Sequence, residues 1–216
     1  MAILSGKSEV AEANNAPSNA IDLEGLGPRE RILVASLKLF VEKGYFNTNV
    51  PDISKLSKCS VGSIYHHFLN KEEIASSLYL EGISMFRAAL SKAVTPEMNA
   101  EQTISSLVTT FLEFSEARPL YSRYIWLARH DEFLNQGLTR PTMVGFDELG
   151  RKLTKTFKKA IRNEEVVNRS AEVIWSIVFG IPLSFVTDWL DGYTRNTPSQ
   201  AAPELAKAAV AALKKS

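Results

Sequence analysis

The sequence predicts an all-α protein, with an N-terminal three-helix, helix-turn-helix head followed by a larger helical body. Three observations carry this prediction. Apolar residues recur at three- and four-residue spacing, and no segment alternates convincingly in the manner of a strand. Residues 49–68, NVPDISKLSKCSVGSIYHHF, hold two short helical patterns around a tight turn. The breakers Arg118-Pro119, Asn135 to Gly137, Asn163 to Asn168 and Gly192 to Pro198 fall between segments of helical length.

In order, residues 1–27 read as a flexible arm rich in Ala, Asn and Ser; its net charge of −3 (Lys7 against Glu9, Glu12, Asp22 and Glu24) argues against a minor-groove contact. The first helix starts at Pro28 and stops at Gly44, with Leu33, Leu37 and Phe40 on its buried face. Asn49 caps the second helix, whose first turn tolerates Pro51 and welcomes the Asp52 carboxylate. Ile53 and Leu56 form its narrow apolar face, and Lys58-Cys59 make the turn. Ser60 caps the third helix, which runs to about Phe68 with Ile64 and Phe68 inward. Two helices this short need flanking helices to stand. The following one begins after Asn70, with Glu73 three residues on as a capping box, and continues past Leu78, Gly82, Phe86 and Leu90.

The outward face of the third helix carries Val61, Gly62, Ser63, Tyr65 and His66. Such a small, polar and aromatic face suits a major groove: Gly62 permits close approach, Ser63 can meet a base edge or phosphate, and Tyr65 can donate to a phosphate oxygen. On spacing alone, a solvated helix face fits equally well. Lys58 and Lys71 are placed to reach phosphates, and residues 28–72 carry seven Lys/Arg against four acids, net +3, in a chain of net charge +1.

With Leu39, Phe40, Lys43, Gly44, Tyr45, Thr48, Asp52, Ile53, Gly62, Ser63, Ile64, Tyr65, His67, Phe68, Lys71 and Glu72 in register, residues 29–74 resemble the DNA-binding domain of TetR-family transcriptional regulators. The resemblance covers about a fifth of the chain. It implies a head at 28–72, an effector and dimerisation body at 73–216, and DNA contacts from Thr48, Asn49, Lys58, Ser60, Val61, Gly62, Ser63, Tyr65, His66 and Lys71. Two positions depart from the pattern: Lys58 replaces the usual turn glycine, and Ser54 replaces an alanine. Lys58 thus stands where a positive φ is favoured.

Helices are expected near 97–117, 119–134, 141–163, 169–191 and 202–214. Residues 173–187, VIWSIVFGIPLSFVT, are uncharged, but a span needs about 20 apolar residues and Pro182 interrupts the run. They read as a helix buried by its own core and a twin subunit, and the resemblance pairs it with the Ala-rich last helix in a homodimer interface, with no membrane role. Two recognition helices on a two-fold axis would match palindromic half-sites roughly 34–36 Å apart.

An effector cavity is expected among Phe111, Phe114, Tyr121, Tyr124, Trp126, Trp175 and Phe179, with Arg129 and His130 as orienting polar groups; a plain aromatic core explains the same residues. Neither a metal nor a cofactor is expected, because His66 and His67 point about 100° apart and one cysteine makes no cysteine-rich site or internal disulfide. Phosphate-binding loops and catalytic signatures are missing, so an enzyme is not expected. The single cysteine and the charges at Lys7, Glu9 and Glu12 within any leader-like stretch point to a reducing, cytoplasmic setting. The expected function is a ligand-responsive repressor that binds an operator in double-stranded DNA and is released by a small-molecule effector. The alternative is a helical protein-interaction module without operator binding.

Overall fold

A computed structural model of the chain describes residues 23–127 and 148–215. The described residues are helical throughout, apart from turns and one isolated bridge between Val166 and Lys214. The head comprises α1 (Pro28–Lys43), α2 (Val50–Ser57) and α3 (Val61–His67). From it leads α4 (Lys71–Ala93), followed by α5 (Ala100–Ala117) and α6 (Pro119–Ser122), which continues into a π-helical turn at Arg123–Leu127. The second described stretch holds α7 (Glu148–Arg162), α8 (Ala171–Trp175), a π turn (Ser176–Gly180), α9 (Ile181–Leu190) and α10 (Pro198–Leu213).

Local signals set most helix starts. The side chains of Asn49, Ser60, Asn70, Asn99 and Thr197 each accept a hydrogen bond from the backbone N–H three residues on. Asn70 departs in part from the expected box: Glu73 reaches back to the N–H of Leu69, at 2.6 Å, instead of to that of Asn70. The last helix starts four residues before the expected Ala202, because Thr197 caps it and Pro198 takes the first helical position, where a missing N–H costs nothing. Pro203, inside the first turns, is exposed and tolerated there.

Pro182 does not break its helix. Residues 171–190 run without interruption, because the Ser176–Gly180 segment widens to π geometry immediately before the proline and accommodates its missing N–H and its ring. The expected interruption is therefore corrected: Ala171–Leu190 is one 20-residue segment of mean hydropathy 1.6, long and apolar enough to cross a membrane. Its inner side joins the core through Ile174, Val178, Phe179 and Val186, while Val173 and Ile181 are 44% and 48% exposed and the space beside Gly180 is open.

The two departures from the family pattern brace one another. Lys58 sits at φ 56°, ψ 29°, the left-handed conformation expected of that turn, and the Ser54 hydroxyl donates to the carbonyl of the next residue, Cys59, at 2.6 Å. Cys59 is buried beneath the turn. A side chain in this conformation costs about 1–2 kcal/mol, so Lys58→Gly is expected to raise stability by about 1 kcal/mol, read as a higher midpoint in thermal unfolding. An unchanged or lower midpoint would mean that the Lys58 side chain contributes contacts of its own.

Candidate nucleic-acid interface and its connection to the body

Ile53, Ile64 and Phe68 are almost fully buried against Leu33, Leu37 and Phe40, which fixes the orientation of α3 within the head. The face left outward holds Val61 (40% exposed), Gly62, Tyr65 (52% exposed) and His66. Lys58, Ser60 and Asn49 are exposed along the same helix-turn-helix unit, and Ser63 is half-buried. Asn49 and Ser60 spend an acceptor oxygen on capping, at 2.8 and 3.1 Å, and keep their donors for another partner. The result is a short helix with one rigidly buried side and one small, hydroxyl- and aromatic-bearing side, the geometry of a groove-reading element.

Two expected contact residues turn inward instead. Thr48 is 1% exposed, with its hydroxyl 2.9 Å from the Gly44 carbonyl oxygen and 3.2 Å from that of Leu39, so it staples the end of α1 to the start of α2. Lys71 folds back over the Tyr45 ring, 4.2 Å from its centroid, and its ammonium donates to the carbonyls of Tyr45 and Thr48 at 2.9 and 2.8 Å. Burial pulls the Lys71 pKa down, and neighbouring Glu72 opposes this. Burial, with help from the Glu72 carboxylate, pushes the Tyr45 phenol up. These groups lock the 44–48 loop to α4, which makes Thr48 and Lys71 positioning residues of the head.

In the body, Phe86, Phe111, Phe114, Trp126, Trp175 and Phe179 form one aromatic cluster. Phe86 meets Phe111, Phe114, Trp126 and Phe179 at centroid separations of 5.2–6.2 Å, and Trp175 stacks on Phe179 at 5.7 Å. Among the described residues two buried donors of this segment have no hydrogen-bond partner, the Trp126 indole N–H within the cluster and the Ser122 hydroxyl one turn earlier. Ser122 carried no sequence signal, since nothing in its neighbours distinguishes an orphaned hydroxyl from a solvated one. A separate groove of about 710 Å³ runs along the other face of α5, past Gln102, Ser106, Thr109 and Glu113. Arg129 and His130 lie outside the described residues.

Tyr124 is not part of that cluster. It is 1% exposed, stacks on Phe40 of α1 at 6.2 Å, and donates its hydroxyl to the Ala75 carbonyl of α4 at 2.9 Å. Its neighbours Tyr121 and Ile125 press on α4 at Gly82, where a Cβ would lie 2.5 Å from Ile125 Cδ1 and 2.9 Å from Tyr121 Cδ1. Arg123 reaches the end of α9, with its guanidinium 2.8 Å from Asp191 Oδ1 and also on the Leu190 carbonyl. The 119–127 segment thus touches the head, the connecting helix and the end of α9.

Such a head, joined through one long helix to an all-helical body, defines a helix-turn-helix regulator architecture. Residues 32–78 match the model of bacterial regulatory proteins of the tetR family. The HTH-type transcriptional repressor KstR2 of Rhodococcus jostii is 30% identical over 102 residues, covering 47% of this chain and 50% of that protein. Matches to this and three other curated relatives span 38–50% of the relatives' own length. Among solved structures, a TetR-family transcription regulator from Marinobacter aquaeolei VT8 shares the fold at TM-score 0.73 and 14% identity, over 88% of this chain and 96% of that one. FadR of Bacillus subtilis, in complex with stearoyl-CoA, does so at TM-score 0.62 and 19% identity, over 84% and 97%. The chain is thus similar to the tetR family of bacterial regulatory proteins in sequence over residues 32–78, and it shares its fold with such regulators over most of its length.

Proposed function

We propose that the chain is a ligand-responsive transcriptional repressor that acts without catalysis in the cytoplasm, binding a palindromic operator as a homodimer and leaving it when a small-molecule effector occupies the body. The observation that carries this reading is the outward face of α3, held rigid by the buried side of the same helix. The proposed division is an arm at 1–27, a head at 28–72 and a body at 73–216. The direct contact set is Asn49, Lys58, Ser60, Val61, Gly62, Ser63, Tyr65 and His66.

The exposed apolar side of 171–190, with open space at Gly180, supports a twin subunit packing there beside α10. The aromatic cluster with its two orphaned donors supports an effector that is mainly apolar and carries a hydrogen-bond acceptor, contacting Phe111, Phe114, Trp126, Trp175 and Phe179, with Tyr121 at the margin. The stearoyl-CoA held by the structural neighbour is an amphiphile of that kind. Release follows if the effector prefers a body whose 119–127 segment no longer holds the head in its operator-matching position.

The test is a salt titration of binding to DNA from upstream of the protein's own gene, beside an unrelated duplex of equal length. Selective, steeply salt-dependent binding is expected; equal, salt-insensitive binding to both would identify an interaction module instead. Tyr65→Ala is expected to weaken operator binding about tenfold without lowering thermal stability, since the ring is half exposed. Undiminished affinity would remove Tyr65 from the interface.

A further inference from the structure

The most basic element of the chain lies outside the head. α7 (Glu148–Arg162) carries Arg151, Lys152, Lys155, Lys158, Lys159 and Arg162 against Glu148 alone, net +5 in 15 residues, compared with +3 for the whole of residues 28–72 and +1 for the entire chain. Its apolar side is spent on the core: Leu149, Leu153, Phe157 and Ala160 are buried, and Phe157 meets Trp175 edge-on at 6.2 Å. Lys152 pairs with Glu148 at 3.3 Å. Lys155, Lys158, Lys159 and Arg162 are exposed, and among the described residues none has an acidic partner. Lys155 and Lys159 stand four apart, as do Lys158 and Arg162, and at that spacing like charges repel. Lys159 and Arg162 suit the C-terminal end of the helix, but among the described residues these four cations make no ion pair.

The row also sits at the wrong end of the molecule to serve the DNA held by the head. α4 carries the chain about 35 Å away from the head. Just past its far end, Glu97 has its carboxyl held below the usual range by Thr95 and its own backbone N–H, with Lys152 adding to the effect. At the other end of α7, Glu164 pairs with Lys215, and Lys214 pairs with Glu101 near the start of α5. Both ends of α7 are therefore anchored to structure at the pole opposite the head.

The chemistry of the row narrows its partner. From Arg151 to Arg162 the cations extend about 17 Å along one helix side, too long for a single compact anion. No large hydrophobic side chain of α7 is exposed to enter a bilayer. The face is mostly lysine and holds no aromatic anchor of the kind that dominates protein interfaces. A sugar-phosphate backbone needs only a row of cations and no pocket.

We infer that α7 is a second, sequence-independent DNA-binding surface that holds a duplex separate from the one under α3. One protein would then bridge two DNA segments. Bridging rests on the head reading above, whereas the α7 contact does not.

The test captures a labelled duplex of unrelated sequence on an immobilised operator duplex already carrying the protein. Wild type is expected to capture it at low salt. The quadruple variant K155Q/K158Q/K159Q/R162Q is expected to keep the immobilised operator and lose the capture, and K155R/K158R/K159R is expected to retain it. Binding of the same unrelated duplex by Tyr65→Ala protein, with and without the four glutamines, reads the α7 contribution as the difference between two proteins with the same weakened head. There the slope of log affinity against log salt is expected to fall by about 3 to 4 on neutralising the four cations. Equal capture and an equal slope with and without the four cations would overturn the inference. So would co-flotation of wild type, but not the quadruple variant, with anionic phospholipid vesicles in place of DNA capture. Failure of operator binding alone, with α7-dependent duplex binding intact, would count against the head reading only.

Discussion

Gly82→Ala is expected to destabilise the protein by about 2 kcal/mol and to weaken operator binding about tenfold, although Gly82 is buried in the connecting helix and touches no DNA. The alanine Cβ would stand 2.5 Å from Ile125 Cδ1, 2.9 Å from Ile125 Cγ1 and 2.9 Å from Tyr121 Cδ1. The tip of Ile125 can swing, but its Cγ1 and the Tyr121 ring are held by the surrounding core, with Ile125 only 5% exposed. The π turn must therefore move away from α4. That motion pulls on the Tyr124 hydrogen bond to Ala75 and on the Tyr124–Phe40 stack, the contacts that tie the segment to the head. For a chain of this length the stability loss corresponds to about 4–8 °C in the thermal midpoint. Ile125→Ala in the same chain removes the colliding atoms, so the double variant is expected to recover part of both losses, a coupling that a double-mutant cycle measures. An unchanged midpoint in Gly82→Ala would show that the notch has slack and that the 119–127 segment is not seated against α4 as described.

What the sequence made legible was governed by neighbours in the chain. Asn49, Ser60 and Asn70 announce helix starts because a cap is satisfied within three residues, and the left-handed Lys58 follows from the glycine usual at that turn in the family the head resembles. Ile64 and Phe68 declare the inward side of α3 by spacing alone. The inward turns of Thr48 and Lys71 were not legible, because each is settled by carbonyls whose orientation only the packed head defines. Tyr124 reads like any aromatic of a core helix; its role depends on where α6 crosses α4, and that crossing is set by a missing side chain at Gly82. Pro182 is carried inside the expected 169–191 helix because the turn before it widens, which the sequence does not announce. Of the expected aromatic residues Phe111, Phe114, Trp126, Trp175 and Phe179 do cluster, but around Phe86, which spacing did not single out, and the orphaned Ser122 hydroxyl is likewise a property of the assembled interior.

Lys71→Ala is expected to cost about 2 kcal/mol of stability and to leave the salt dependence of operator binding unchanged. Read from sequence, Lys71 was a phosphate contact whose removal would lower the slope by about one unit. In the folded head its ammonium already donates to the Tyr45 and Thr48 carbonyls and lies over the Tyr45 ring, so it has little left to offer a phosphate. Hydrogen bonds from a charged donor contribute about 1.5–3 kcal/mol, and their loss leaves two carbonyls in a partly buried loop without that partner. Lys71→Met separates the two roles of the side chain, since it keeps most of the aliphatic stem over Tyr45 and removes the donors. It is expected to lose nearly as much stability as the alanine, and to lose operator affinity only through a looser 44–48 loop at the start of α2. Urea unfolding gives the first quantity and affinity across a salt series gives the second. A slope lowered by about one unit, with stability intact, would place the ammonium on a phosphate after all and would require the loop contacts to break when DNA binds.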